Sequence, residues 1–281
     1  MYVRRGFHIS LMGIDGAGKT SIAHALADSL RRQGYEPEVI SWKRVIARTG
    51  TTAANVLASI SMAAYKLQFS EAEPFSASCD LPTLMATEST SKFHEETEPV
   101  LRELSVSRNA AFPFLAAALV ELAGNYYLHH AYLLPNMRNG RVLIEESCGF
   151  KHVLKNALYA QRLDTTEDDP ISQEAQKLIE KASAFFGEIM KPTYGYWVDA
   201  DPKLSLEWRK RTNISSTNFE DYGLMGSRGE ASFLRMQEDC RRHFATFAQQ
   251  RGWIRLEMRD VAKELNLQSA ISTIERTALG K

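Results

Sequence analysis

The chain has 281 residues, 34 Lys+Arg set against 34 Asp+Glu, and 44% hydrophobic residues. That hydrophobic share excludes wholesale disorder, the zero net charge removes any global electrostatic case for a nucleic-acid polymer or an anionic membrane, and the length fits one α/β domain with insertions. Cys79, Cys148 and Cys240 lie far apart with no C-x-x-C pair, which argues against a disulfide framework or a structural zinc site and suits a reducing cytosol.

Arg4 and Arg5 precede an apolar run as in a signal peptide, but 7–12 is too short for a signal core and runs into glycines and Lys19. The most apolar segment elsewhere, 110–120, reads as shorter than the roughly 20 residues that span a bilayer. A cytoplasmic protein with no membrane partner is therefore expected. Residues 7–12 predict a buried strand. Residues 18–33 predict a helix, with Ile22, Leu26 and Leu30 on one face, and Gly34 follows its end. Residues 37–42 predict a second strand with Trp42 at its end, so strand, helix and strand form a right-handed βαβ unit and imply a parallel sheet. Residues 45–66 read as an Ala-rich helix, 71–92 as a Pro-, Ser- and Thr-rich loop, and 93–104 and 114–134 as helices. After the Asn139-Gly140 turn, 141–146 predict a third strand. Helices follow at 153–162 and 172–190, with an acidic loop at 164–169 between them. Strands at 194–198 and 253–258, helices at 202–210, 231–250 and 261–278, and a polar loop at 212–229 complete a doubly wound layout.

The strongest motif is Gly13-Ile14-Asp15-Gly16-Ala17-Gly18-Lys19-Thr20, which matches G-x-x-x-x-G-K-[ST] between a predicted strand and a predicted helix. Glycines let successive backbone N–H groups turn inward around phosphate oxygens, and the helix aims its positive end at the anion. Gly13, Asp15, Gly16, Ala17, Gly18, Lys19, Thr20 and Ser21 are thus the candidate ATP-binding residues. Lys19 would neutralise the β- and γ-phosphates, and the Thr20 hydroxyl would ligate Mg²⁺. A glycine-rich strand-to-helix turn without a ligand is the plain alternative.

On this motif and the order of elements after it, the chain resembles the thymidylate kinase family of nucleoside monophosphate kinases. Asp15 sits inside the family's G-x-D-G-x-G-K-like loop. The apolar helix 114–134, Pro135, Gly140 and the strand 142–144 follow in the family's order. So do Lys191-Pro192, the Asp199-Ala200-Asp201-Pro202 turn, Arg209, and the helix bearing Phe233 and Gln237. The resemblance implies a three-layer P-loop kinase fold: a five-stranded parallel sheet flanked by helices in one domain, 1–281. It also implies an acceptor-binding helical region and insert at 43–139 and a lid loop at 212–229.

The implied reaction moves the γ-phosphoryl group of Mg-ATP to a nucleoside monophosphate such as dTMP. Lys19, Asp15 and the lid candidates Arg209, Arg211 and Arg228 would be catalytic. Arg228→Ala is expected to cut turnover far more than ATP affinity. Glu146, with Glu145 as the alternative, would join Thr20 at the metal. Two departures stand in the acceptor region: Ser147 and Asn125 occupy positions where the family carries arginine. Trp42, Lys43, Arg44, Asn125 and Ser147 are the candidate acceptor residues. The departures favour a second reading, a kinase of the same fold acting on a small molecule or an atypical nucleotide. A third reading is an ATP-binding switch that transfers nothing. Dimerisation is common in the family that the chain resembles, and the apolar helix 114–134 could pack across a two-fold axis of a homodimer, although that helix could equally be core.

Overall fold

The computed structural model describes residues 6–48, 50–74, 104–106, 111–163, 170–212, 220–223 and 229–280. Strand β1 (Phe7–Met12) leads through the glycine-rich loop into α1 (Lys19–Arg32) and then β2 (Pro37–Ile40). After α2 (Trp42–Ile46) and α3 (Thr52–Phe69), a two-stranded antiparallel ribbon joins β3 (Ala72–Pro74) to β4 (Leu104–Val106). Helix α4 (Ala111–Leu128), a π-helical turn (His129–Leu133) and α5 (Leu134–Arg138) lead to β5 (Val142–Glu145). The rest is α6 (Phe150–Leu163), α7 (Pro170–Ala184) with a second π turn (Phe185–Ile189), β6 (Tyr194–Asp199), α8 (Pro202–Arg211), α9 (Glu230–Arg251), β7 (Ile254–Glu257) and α10 (Lys263–Leu279).

The main sheet has five parallel strands in the order β2-β5-β1-β6-β7. The crossover from β1 to β2 moves one way across the sheet, and the crossover from β5 to β6 moves the other way. Right-handed crossovers in opposite directions put their helices on opposite faces, which makes a three-layer α/β sandwich. Helix α1 packs beside α10 in one layer, while α4, α6 and α7 pack together in the other. The chain reverses direction about β1, so the crevice beyond the carboxyl end of β1 is the topological switch point where open α/β sheets bind ligands. The glycine-rich loop stands there.

Burial follows the pattern of the sequence. Ile22, Leu26 and Leu30 of α1 are each at most 1% exposed. In the other layer Phe114 stacks on Tyr159, centroids 4.7 Å apart. Such aromatic pairs contribute about 0.5–1.5 kcal/mol beyond area burial.

Several expected elements differ. Trp42 opens a helix instead of ending a strand, because the Ser41 hydroxyl accepts the Arg44 N–H at 3.4 Å and caps α2. The helix expected over 45–66 is two helices, the second restarted by Thr51, whose hydroxyl accepts from the Ala54 N–H at 3.1 Å. The loop expected at 71–92 begins with a strand, Ala72–Pro74, and Leu104, the end of the helix expected at 93–104, lies in β4. The rest of both segments, the acidic loop 164–169 and most of the lid, including Arg228, lie outside the described residues.

Helicity is continuous through 111–138, which is long and apolar enough to cross a membrane and corrects the shorter expectation. Its most apolar window is 61% buried within the protein. It packs between α3 and α6, which makes it a core helix of this fold. Pro135 follows closely on the π-helical turn His129–Leu133, so the residue that has no N–H to give stands where the helical ladder is already irregular.

Candidate functional site

Gly16 and Gly18 have φ of +80° and +91°, conformations that a side chain resists, and they shape the turn after β1. Helix α1 then begins at Lys19 with no side-chain cap. Its first amides, those of Lys19, Thr20 and Ser21, have no partner within the helix, and they point with the positive end of the dipole toward the loop. The Lys19 ammonium is folded onto the loop itself, donating to the carbonyls of Gly13 at 2.9 Å and Ile14 at 2.7 Å. Burial and then Lys151 push its pKa well below the ordinary lysine value. A phosphate oxyanion would reverse that shift, since an opposite charge favours the ammonium form.

Asp15 is the centre of the site. Its carboxylate accepts from the ammonium groups of both Lys151 and Lys155, and from Gln237 Nε2 at 3.2 Å. Its backbone N–H donates to Gln237 Oε1 at 2.9 Å. Burial opposes its ionisation, but Lys151 and Lys155 overcome that and hold its pKa well below the usual carboxylate range. Lys151 and Lys155 stand one turn apart on α6 and are 7% and 6% exposed. Sequence reasoning missed both. The signal was present: they share an i, i+4 row with Tyr159, which is 0% exposed, so the row faces inward. The same ammonium groups help set His152, whose pKa burial, Lys151 and Lys155 lower to about 3.

Arg209, at the end of α8, meets the loop from its other side. A Cβ added to Gly16 would come within 3.1 Å of the Arg209 side-chain stem. Its guanidinium holds Glu220 at 2.5 and 3.2 Å and lies 5.6 Å from the Phe233 ring. Arg211, two residues on, is exposed. The structure thus joins Arg209 to the loop and leaves Arg211 on the surface.

Glu145, the last residue of β5, and Glu146, just beyond it, part company, as neighbours at a strand end must. Glu145 turns into the protein, accepting from the Ser10 hydroxyl at 2.5 Å with His8 Nε2 at 3.3 Å. It borders a small internal cavity with His8, Ser10, His129, Cys148 and Phe186. Glu146 faces the other way. Arg44 lies 3.6 Å from it and 2.8 Å from His24, and His24 is one helical turn beyond Thr20 on α1. The Glu146 Oε2 is buried with no hydrogen-bond partner among the described residues. A carboxylate with a spare buried oxygen is the kind of hard-oxygen ligand that Mg²⁺ takes. Of the two expected carboxylates, Glu146 has such an oxygen, whereas Glu145 already faces Ser10 and His8.

Among the expected acceptor residues, the Trp42 indole donates to Asn125 Oδ1 at 3.1 Å, and Asn125 Nδ2 donates to the Glu121 carbonyl at 2.8 Å. A Cβ on Gly124 would lie 2.1 Å from the Trp42 ring, and one on Gly149 would lie 1.8 Å from Asn125 Oδ1. Trp42 and Asn125 are thus interlocked with α4 and with the turn before α6. The Ser147 hydroxyl is buried and has no partner among the described residues. Lys43 and Arg44 are exposed on α2.

No protein-family model matches the chain, and no curated protein matches it significantly. What fold and loop define is a three-layer parallel α/β architecture compatible with nucleotide binding.

Proposed function

We propose that this chain is an ATP-dependent phosphotransferase, thymidylate kinase-like, that moves the γ-phosphoryl group of Mg-ATP to an acceptor bound between α2, α4 and α6. The observation that carries the reading is the glycine loop at the switch point, with Lys19 parked on two loop carbonyls and Asp15 gripped by two further lysines. Phosphoryl transfer needs positioning and charge neutralisation more than covalent chemistry, and this site is built of both.

In this reading Lys19 leaves the Gly13 and Ile14 carbonyls for the β- and γ-phosphates, and the α1 amides cradle the remaining oxygens. Thr20 and Glu146 would hold Mg²⁺, which supplies charge neutralisation on the phosphate oxygens. Arg209, close over Gly16, stabilises charge that develops on the transferring group. Asp15 orients the acceptor or takes its proton.

A nucleoside monophosphate such as dTMP is the first acceptor to test. The interlocked Trp42 and Asn125 and the neutral Ser147 favour the second reading, a different acceptor on the same fold. Substrate-dependent ADP release from Mg-ATP tests the function. Release with dTMP or another monophosphate supports the first acceptor class. Release only with other compounds supports the second. Silence with every acceptor, while ATP is bound, rejects the phosphotransferase. Ser147→Arg sharpens the choice: improved use of dTMP indicates a drifted monophosphate site, and no change indicates a different acceptor.

A further inference from the structure

Three lysines converge on one loop from two sides of the sheet. Lys19 belongs to α1, in the layer that α1 shares with α10, whereas Lys151 and Lys155 belong to α6, in the opposite layer with α4 and α7. They meet across the carboxyl end of β1, at Asp15. The donor's phosphates are already served from the α1 side by Lys19 and by uncapped amides. A second pair of buried ammonium groups, approaching from the far side, suits a second oxyanion.

The pair is built to be held until used. Each ammonium is under 10% exposed and hydrogen-bonded to a carboxylate on a loop whose glycines give it positive-φ hinges. The i, i+4 spacing lets both reach one group about the size of a carboxylate or a phosphate. In the structure that group is the Asp15 carboxylate. A phosphate monoester presents more oxygens and more charge to the same donors.

We infer that Lys151 and Lys155 form the binding clamp for an oxyanion of the acceptor, with Asp15 as its placeholder, so that the acceptor is a phosphate-bearing compound and not a neutral alcohol or nucleoside. This rests on the phosphotransferase reading and names its substrate class. The clamp residues are positioning residues for the acceptor, and the donor is left to Lys19.

The test is made on the whole chain loaded with the non-hydrolysable imido analogue of Mg-ATP, which fills the γ-phosphate position. Inorganic phosphate is then titrated, and its dissociation constant is read from the shift in melting temperature. The wild type should respond to phosphate. Lys151→Gln should weaken that response at least about tenfold, the loss expected for one charge-assisted hydrogen bond, while its affinity for the analogue is not weakened, because losing Lys151 relieves the repulsion that lowers the Lys19 pKa. Lys151→Arg should restore it, because the charge returns. Retained analogue binding also shows that the Gln variant folds.

Equal phosphate responses in the wild type and Lys151→Gln would overturn the clamp, as would no response in the wild type. A Lys151→Gln variant that loses analogue affinity relative to Mg-ADP would also overturn it, by assigning the pair to the donor's γ-phosphate. Failure of the wild type to bind the analogue at all would instead defeat the nucleotide-binding reading on which the clamp depends.

Discussion

Asp15 shows how a single residue in the loop can be read at two depths. Its place in the motif was legible, because glycine spacing and a following Lys-Thr leave few alternatives. Its partners were not. Lys151 and Lys155 lie some 136 and 140 residues away, and lysine on a mixed helix ordinarily reads as a solvated face. Only their shared row with Tyr159 marked them. Asp15→Asn leaves two buried ammonium groups against a neutral amide, so it should cost about 3–5 kcal/mol of stability near neutral pH, read from the denaturation midpoint. The sign with pH follows from the depressed pKa of the folded state. The stabilisation is complete above the ordinary aspartate value of 3.8 and is lost as pH falls through the lower folded value, so the two proteins should converge only in strong acid. For Lys19→Met the expectation is at least about a hundredfold loss of turnover, since in the proposed reading it removes the cation, now seated on the Gly13 and Ile14 carbonyls, that moves to the phosphates. An acceptor-dependent ADP-release assay checks it.

At the scale of the element, α4 carries two further predictions. Gly124 lets the Trp42 ring lie against the helix, and a methyl group there would meet that ring at 2.1 Å. Gly124→Ala should therefore destabilise by about 1–3 kcal/mol through overpacking, with an unchanged denaturant slope. One turn before Asn125, burial raises the pKa of Glu121 to about 7. Folded Glu121 stays neutral while the unfolded chain ionises near 4.5, so stability is complete below that value and falls as pH rises toward about 7. Glu121→Gln should remove that fall and gain on the order of 2–3 kcal/mol at pH 8, a rise of several degrees in melting temperature. A gain of equal size at pH 4 would contradict this cause.

The elements themselves were largely legible because their periodicities are strong: all five strands of the main sheet and the long helices lie close to where the alternation and 3.6-residue repeats put them. Boundaries failed where a local hydrogen bond decided them. The Ser41 and Thr51 hydroxyls cap helices that composition had merged or mistaken for strand. The π turns after α4 and α7 left no trace in the apolar pattern, because one extra residue per turn shifts a face without changing its composition.

Over the whole molecule, the order β2-β5-β1-β6-β7 turns a local motif into a site. It sets the loop at the switch point and brings cations to it from both helical layers. The sequence could announce the loop but not that convergence, since the crossovers, and not any local spacing, bring α6 to Asp15. In the proposed reading the chemistry of the acceptor depends on the same geometry. The most direct measurement is transfer of radiolabelled γ-phosphate from Mg-ATP, run with phosphate-bearing acceptors and with their dephosphorylated counterparts, for the wild type and Lys19→Met. The account predicts label on a phosphate-bearing acceptor with the wild type, none on its neutral counterpart, and near-complete loss with Lys19→Met. Absence of acceptor-bound label from a wild type that binds Mg-ATP, or equal transfer by the two proteins, would contradict it.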